Sequence, residues 1–411
     1  MINNHLPEFC EKKLDNLSER LNVLCKEGFY KDIAYELGCI YKDQQKVLHR
    51  RYFGSPDLVA RKESIWRIYS MTKPIVSILA LALVDEGKLR LFDHVARFLP
   101  NYKEPKILIS KGKNQEYVNA KSPMTIFHLL THTSGLSYGF LNGGVAKLYR
   151  QEEVHFDGLV SLEDEVKKIS KLPLISEPGS KWHYSVATDV LGHILELVSG
   201  YPLPELLKKY VFSKLGMNEI GFDVPSNKLN NLMPCFGKKD IFDSFPKERA
   251  SDIFSNNPKL EEIKTLKSYP TNAEGKFYRG GHGLFSTISN YGLFAASMLN
   301  GAKGILSRKS MDLLLKDHTQ SSMKPLTINP VLSKPTEGLQ GYGFGLGVRI
   351  RGKGNFALSI GTEGEFGWAG AADTYYLVDP NENFYAIFMA QNIEQPGGPS
   401  LFKQLIYSAL K

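Results

Sequence analysis

The chain has 411 residues, 42% hydrophobic and 23% charged, a soluble-protein balance long enough for two domains or one large domain with an insertion. Its net charge of +8 is dispersed, with acidic residues among the basic ones as in residues 238–252 (KKDIFDSFPKERASD), which argues against the clustered basic face of a nucleic-acid binder. Four cysteines without C-x-x-C spacing argue against a zinc ribbon or a disulfide scaffold, and no apolar run reaches membrane-spanning length.

The N-terminal segment carries Glu8, Glu11, Asp15 and Glu19 and no apolar h-region, so no signal peptide is expected and the chain reads as cytoplasmic with free thiols. Residues 15–24 have helical spacing. Residues 37–53 read as two strands around a polar turn at Asp43-Gln44. Residues 70–86 predict a helix that is apolar almost all round, hence buried, with Gly87 ending it. From 90 to 280 the pattern is mostly helical, clearest at 126–130, 162–169, 189–198 and 205–212. Residues 222–277 are polar and weakly periodic and read as a lid-like insertion. Helices are expected again at 290–300 and 310–317. Strands follow at 342–350, 355–360, 373–379 and 383–390, and a last helix at 400–410. Glycines 341, 343, 345 and 347 alternate with larger residues, which predicts a strand with close backbone neighbours. No G-x-G-x-x-G is present, so dinucleotide binding is not expected. The order implies an α+β fold: an antiparallel sheet domain built from residues 1–89 and 281–411, flanked by helices, with a helical domain inserted at 90–280.

Ser70-Met71-Thr72-Lys73 opens the buried helix. A serine and a lysine three residues apart share a helix face, so Oγ and Nζ can meet. A serine hydroxyl becomes a nucleophile when a neighbouring base takes its proton, and lysine serves where burial or a nearby cation disfavours its charged form. The same tetrapeptide also arises as a serine N-cap beside a lysine lying along apolar surface.

The segment Ile68–Pro74 (IYSMTKP) resembles the nucleophile segment of the serine β-lactamase and penicillin-binding-protein superfamily. Four more segments fit in order: Thr125–Leu136 (TIFHLLTHTSGL), Trp182–Gly192 (WHYSVATDVLG), Arg279–Ser289 (RGGHGLFSTIS) and Gly367–Gly370 (GWAG), a match spanning about residues 33 to 395. The resemblance implies a β-lactamase-like fold of the class C type with its site in the cleft between domains. It also implies Ser70 as nucleophile, Lys73 as its base, Tyr184 as second base, and the backbone N–H groups of Ser70 and Ala371 as oxyanion hole. Tyr138 and His282 would line the cleft, although packing roles serve each equally well.

Two departures bear on substrate. Trp368 stands where β-lactamases carry the lysine of K-T-G, and Val186 replaces the asparagine of Y-x-N. Both favour a neutral, apolar acyl group over an anionic one. Tyr184-Ser185 with Trp368 is similar to the family VIII carboxylesterases and related transesterases, whose usual W-G-G differs here at Ala369. The expected activity is hydrolysis of small-molecule carboxylic esters through a Ser70 acyl-enzyme, with no cofactor and no metal. The alternatives are acyl transfer to an alcohol, a β-lactamase or D,D-peptidase, and a catalytically silent binding paralogue. His128 and His132 have the i, i+4 spacing that metals use but no evident third ligand, and His132 is expected to stabilise the turn at 133–135. Asp189 is expected in a helix-terminal or hydrogen-bonding role.

Overall fold

Strands drawn from the two ends of the chain meet in one sheet. The computed structural model describes residues 6–55, 57–111, 114–237, 240–242, 260–272, 274, 276–328, 339–352, 359–393 and 397–411. The chain opens with α1 (Glu11–Lys26), which buries Leu14, Leu17, Leu21 and Cys25, one stripe at spacings of three and four. The hairpin β1 (Asp32–Tyr41) and β2 (Gln44–Ser55) follows, turning at Lys42 and Asp43, both at positive φ, one residue before the expected turn. Short β3 (Leu58–Val59) and β4 (Trp66–Arg67) lead into α2 (Thr72–Asp85), in which every residue from Thr72 to Leu83 is buried.

The next stretch holds α3 (Ile126–Leu130), α4 (Gly144–Gln151), α5 (Leu162–Ile169), α6 (Ala187–Ser199), α7 (Leu203–Leu207) and α8 (Ser213–Leu215). It also contains a hairpin that the helical reading missed, β5 (Lys106–Lys111) with β6 (Asn114–Asn119). The hairpin stands apart from the main sheet and its second strand, NQEYVN, is mostly polar, which leaves little periodicity to read. A π-helical turn, Lys208–Phe212, joins α7 to α8. The short β8 (Phe285–Ser286) pairs with β4 on one side and with β7 (Ile220–Gly221) on the other in a second sheet. Within the expected insertion at 222–277, residues 238–239, 243–259, 273 and 275 lie outside the described residues.

The chain finishes with α9 (Ile288–Leu299), α10 (Arg308–Leu314), β9 (Tyr342–Phe344), β10 (Arg349–Arg351), β11 (Phe366–Gly370), β12 (Thr374–Asp379), β13 (Phe384–Met389) and α11 (Gly398–Ala409). The eight-stranded antiparallel sheet has the order β3-β2-β1-β13-β12-β11-β10-β9. Its junction is the pairing of β1 with β13, in register Ala34 to Met389 and Glu36 to Ile387. One face buries Tyr35, Phe388 and Phe402 with α1 and α11, and the other packs on α2 and α9. This is the α+β arrangement expected.

Two expected strands need correction. Residues 342–350 are two strands, not one, because the chain reverses at 345–348, where Gly345 N–H donates to Val348 O at 2.8 Å and Gly347 adopts φ +92°. Of the strand expected at 355–360, residues 355–358 lie outside the described residues and 359–360 are not strand. The expectation of close neighbours at the glycines holds: a Cβ at Gly343 would strike the Asp317 carboxylate, and one at Gly347 the Ser77 hydroxyl on α2. The helix expected at 310–317 runs from 308 and stops at Leu314. Among the described residues, no helix is long and apolar enough to cross a membrane.

Gly347 therefore meets two demands, positive φ and contact with α2. Gly347→Ala is expected to lower stability by about 1–3 kcal/mol, read as a lower denaturation midpoint. An unchanged midpoint would contradict that close approach.

Candidate active site

Ser70 sits in a tight 3₁₀ turn, Tyr69–Met71, between β4 and α2. The residue before it, Tyr69, has φ +44°, a conformation that a bulky residue holds only when its surroundings impose it. Those surroundings are specific. Ile68 N–H donates to Leu284 O (3.1 Å), Thr374 Oγ1 donates to Ile68 O (3.2 Å), and Tyr291 Oη donates to Met71 O (3.0 Å). The Tyr69 ring meets Tyr269 edge-on at 4.9 Å. The end of β11 lies against this turn, since a Cβ at Gly370 would come within 2.5 Å of Ile68 O. Ala371, the next residue, is thereby brought beside the Ser70 turn.

Lys73 follows on the first turn of α2, 1% exposed. Its Nζ donates to Ser70 Oγ at 3.1 Å and to Gly281 O at 2.7 Å. It also stands over the rings of Tyr184 (4.8 Å to the centroid) and Tyr138 (5.4 Å), so two aromatic faces add to its electrostatic environment. The Tyr184 hydroxyl accepts from Trp368 Nε1 at 3.4 Å. Lys73 thus meets the ring of Tyr184, while the hydroxyl points to β11. Trp368 is buried between Tyr184 and Phe344, whose ring it meets at 82°. Val186, buried, opens α6 immediately after the tyrosine. Ser70, Lys73, Tyr184 and Trp368 are therefore assembled from three separated stretches of chain.

Tyr138 and His282 are 2% exposed each. Tyr138 stacks on Phe140 and faces Lys73. Burial, with the Tyr184 hydroxyl nearby, pushes its phenol well above the usual range. The His282 imidazole is held neutral by burial and by the Lys73 and Arg279 charges.

His132 corrects an expectation. Its ring turns to Ser185, Nδ1 to Oγ at 3.3 Å, and packs on Tyr184 at 4.8 Å, so it buttresses the tyrosine rather than the 133–135 turn. Burial and the Lys73 charge hold it neutral. His128 is a helix cap: Thr125 N–H donates to its Nδ1, and its own N–H to Thr125 Oγ1, both at 3.3 Å.

Asp189 bonds as expected, but to an unforeseen partner. Its Oδ1 accepts from Gly281 N–H at 2.9 Å, and a Cβ at Gly281 would come within 2.5 Å of Oδ2. Burial pushes this carboxyl up to about 6 against the opposing pull of Lys73. One peptide unit thus links Asp189 to Lys73, its N–H donating to the carboxylate and the Gly281 carbonyl accepting from the ammonium. The sequence signal was the glycine pair in Arg279-Gly280-Gly281, since a Cβ at Gly280 would likewise meet Thr188 O at 2.5 Å.

Residues 39–401 match the family described as Beta-lactamase. The chain belongs to that family. Over 216 residues, half of this chain and 52% of its relative, it is 36% identical to Esterase EstB of Burkholderia gladioli. Two solved structures share the fold at a TM-score of 0.75. One is EstCE1, a hydrolase with promiscuous acyltransferase activity (22% identical, 97% of this chain and 98% of that one). The other is unliganded simvastatin synthase, LovD, of Aspergillus terreus (19%, 96% and 98%). The β-lactamase-like fold that the motifs implied is therefore the fold of this chain, and its superfamily is one of serine hydrolases.

Gly281→Ala should displace the carbonyl that anchors Lys73. Ester turnover is expected to fall by about 10² with little change in KM. A variant within twofold of wild type would mean that Lys73 does not depend on this anchor.

Proposed function

We propose that this protein is a serine carboxylesterase acting by acyl transfer through Ser70. The observation that carries the reading is the 3.1 Å contact between Lys73 Nζ and Ser70 Oγ at a buried helix start. Ser70 Oγ attacks the ester carbonyl while its proton passes along that contact to Lys73 Nζ, which takes it in the neutral amine form. The tetrahedral oxyanion is assigned to the backbone N–H groups of Ser70 and Ala371. Trp368 has only an N–H to give, so Tyr184 accepts from it and keeps its own O–H to offer to the leaving alkoxide. Water then attacks the acyl carbon and gives one proton to the Tyr184 oxygen, while Lys73 returns its proton to Ser70 Oγ as the acyl-enzyme is cleaved. An alcohol in place of water gives transesterification. EstB's esterase name supports the hydrolytic reading, and the acyltransferase activity named for EstCE1 supports transfer as a second outcome of the same intermediate.

The substrate reading follows from the wall of the site. Trp182, Tyr184, Phe344 and Trp368 form a contiguous aromatic set. The single indole N–H of Trp368 goes to Tyr184, so this position holds no ammonium to bind a carboxylate. Small neutral esters suit this surface. The four cysteines are unpaired, which supports the proposal of a reducing, cytoplasmic location.

Ser70→Ala should fold normally and retain less than about 1% of wild-type turnover of activated esters. Higher residual activity would remove Ser70 from the nucleophile's role.

A charge-assisted hydrogen bond to a carboxylate is worth about 1.5–3 kcal/mol, which β-lactams forgo here and neutral esters do not need. Short-chain p-nitrophenyl esters are therefore expected to show kcat/KM at least about 10² above nitrocefin or benzylpenicillin. Equal or better values for the β-lactams would replace the esterase reading with the lactamase one.

A further inference from the structure

Behind the Gly281 peptide lies a second cluster that the acyl-transfer chemistry does not use. His155 comes from the turn after α4, Asp189 from the first turn of α6, and His282 from the segment before β8. All three are buried, and their candidate donor atoms lie within 4.8 Å of one another. His155 Nε2 is 3.5 Å from Asp189 Oδ2, and the two imidazole rings are 4.8 Å apart at 62°. Among the described residues, neither nitrogen of either histidine nor Asp189 Oδ2 has a hydrogen-bond partner. The Ser268 backbone lies near the His282 ring without meeting hydrogen-bond geometry. Aromatic rings close the surroundings: Phe242 stands 5.2 Å from His155 and 4.9 Å from His282, with Tyr138, Tyr269 and Phe277 beyond.

A set of buried polar atoms with no partner, walled by apolar rings, is costly unless something occupies it. We propose that His155, Asp189 and His282 form a binding site for one divalent transition-metal ion of the zinc type. The donor set is two imidazoles and a carboxylate, which suits zinc and its neighbours in the first transition row rather than magnesium or calcium. Both imidazoles are neutral in this environment, so their lone pairs are available. Asp189 Oδ1 is already tied to Gly281 N–H, which orients the carboxylate and leaves Oδ2 for the ion. Donors bound at about 2.0–2.2 Å around a tetrahedral ion lie about 3.3–3.6 Å apart, so the set, now within 4.8 Å, closes by about an ångström on binding.

The charges around the cluster set its strength. Lys73 and Arg279 are cations facing the histidines. Glu165 opposes them, with one oxygen 4.0 Å from Arg279 and the other accepting from the His155 backbone N–H at 2.6 Å. The ion is held against the fixed Arg279 charge with Lys73 nearby, so the site favours metals with high imidazole affinity and binds them moderately. The expectation of a metal-free chain is revised here, and at a place unrelated to the His128 and His132 pair. Because the three ligands come from three segments, the ion would cross-link α6 to the chain on either side. The proposal does not rest on the esterase reading.

The test uses the full chain, stripped with chelator and dialysed against Zn²⁺ alone, with metal content measured by emission spectrometry. One equivalent of zinc is expected, with none of Mg²⁺ at the same concentration. Bound Co²⁺ should give visible absorption bands of a nitrogen-ligated site. His155→Gln and His282→Gln, each checked for native circular dichroism, should weaken zinc binding by at least about tenfold. No stoichiometric uptake by wild type, or uptake by both folded variants equal to that of wild type, would overturn the site. Should neither variant fold, the wild-type Co²⁺ spectrum decides: bands of an all-oxygen set would overturn it as well. Ester turnover plays no part in these readouts, so failure here leaves the acyl-transfer reading standing.

Discussion

One side chain is held from two directions, and much of the site's structure serves that grip. Lys73 lies at the start of a helix buried on every side, with Nζ bonded to Ser70 Oγ and to the Gly281 carbonyl. A flexible four-carbon stem would ordinarily sample many rotamers, and fixing it costs entropy. Two hydrogen bonds and two aromatic faces offset that cost. The Gly281 peptide is fixed in turn by Asp189 on α6, and α6 begins directly after Tyr184 and Val186. The helix that carries the carboxylate thus also sets the position of the tyrosine.

Aromatic packing dominates the other side of the cleft. Trp368 meets both Phe344 and Tyr184, Trp182 and His132 each pack on the same two rings, and the Tyr184 hydroxyl accepts from an indole. Such a wall rewards apolar area and offers little to an anion. The histidines near Lys73 are neutral because they are buried beside a cation, so they add shape and dipoles rather than charge. This separates the site electrostatically from one built to hold a carboxylate, although both stand on the same fold. The nucleophile turn is anchored by Leu284, by the Thr374 hydroxyl of β12 and by the close approach of Gly370 on β11, while the cleft wall is a matter of aromatic side chains.

Close backbone approach is the second recurring device. Gly280 and Gly281 let the segment before β8 lie against α6, Gly370 lets β11 reach the serine turn, and Gly347 lets the β9–β10 turn reach α2. At each, a single methyl group would push apart two elements that the site requires together. The buried cluster of His155, Asp189 and His282 is a product of the same approach, since the glycine pair that brings Gly281 onto Asp189 also brings His282 to His155.

The sequence by itself determined the members of the proposed catalytic group and the frame that carries them. Ser70 and Lys73 share a face because a helix turns every 3.6 residues, and the unbroken apolar run after them could only be a buried helix. The five ordered motifs carried the fold, and the period-2 and period-3.6 patterns located most strands and helices to within a few residues. What it did not determine were relations between distant segments. The β5–β6 hairpin lacks a strong period, and the reversal at 345–348 lies within a run that alternates throughout. The linkage of Asp189 through Gly281 to Lys73, the turn of His132 toward Ser185 and the meeting of His155 with His282 join residues far apart in the chain. Local propensity carries no information about such contacts. They were decided only when the sheet, α2 and α6 packed together and each buried polar atom had to find, or lack, a partner.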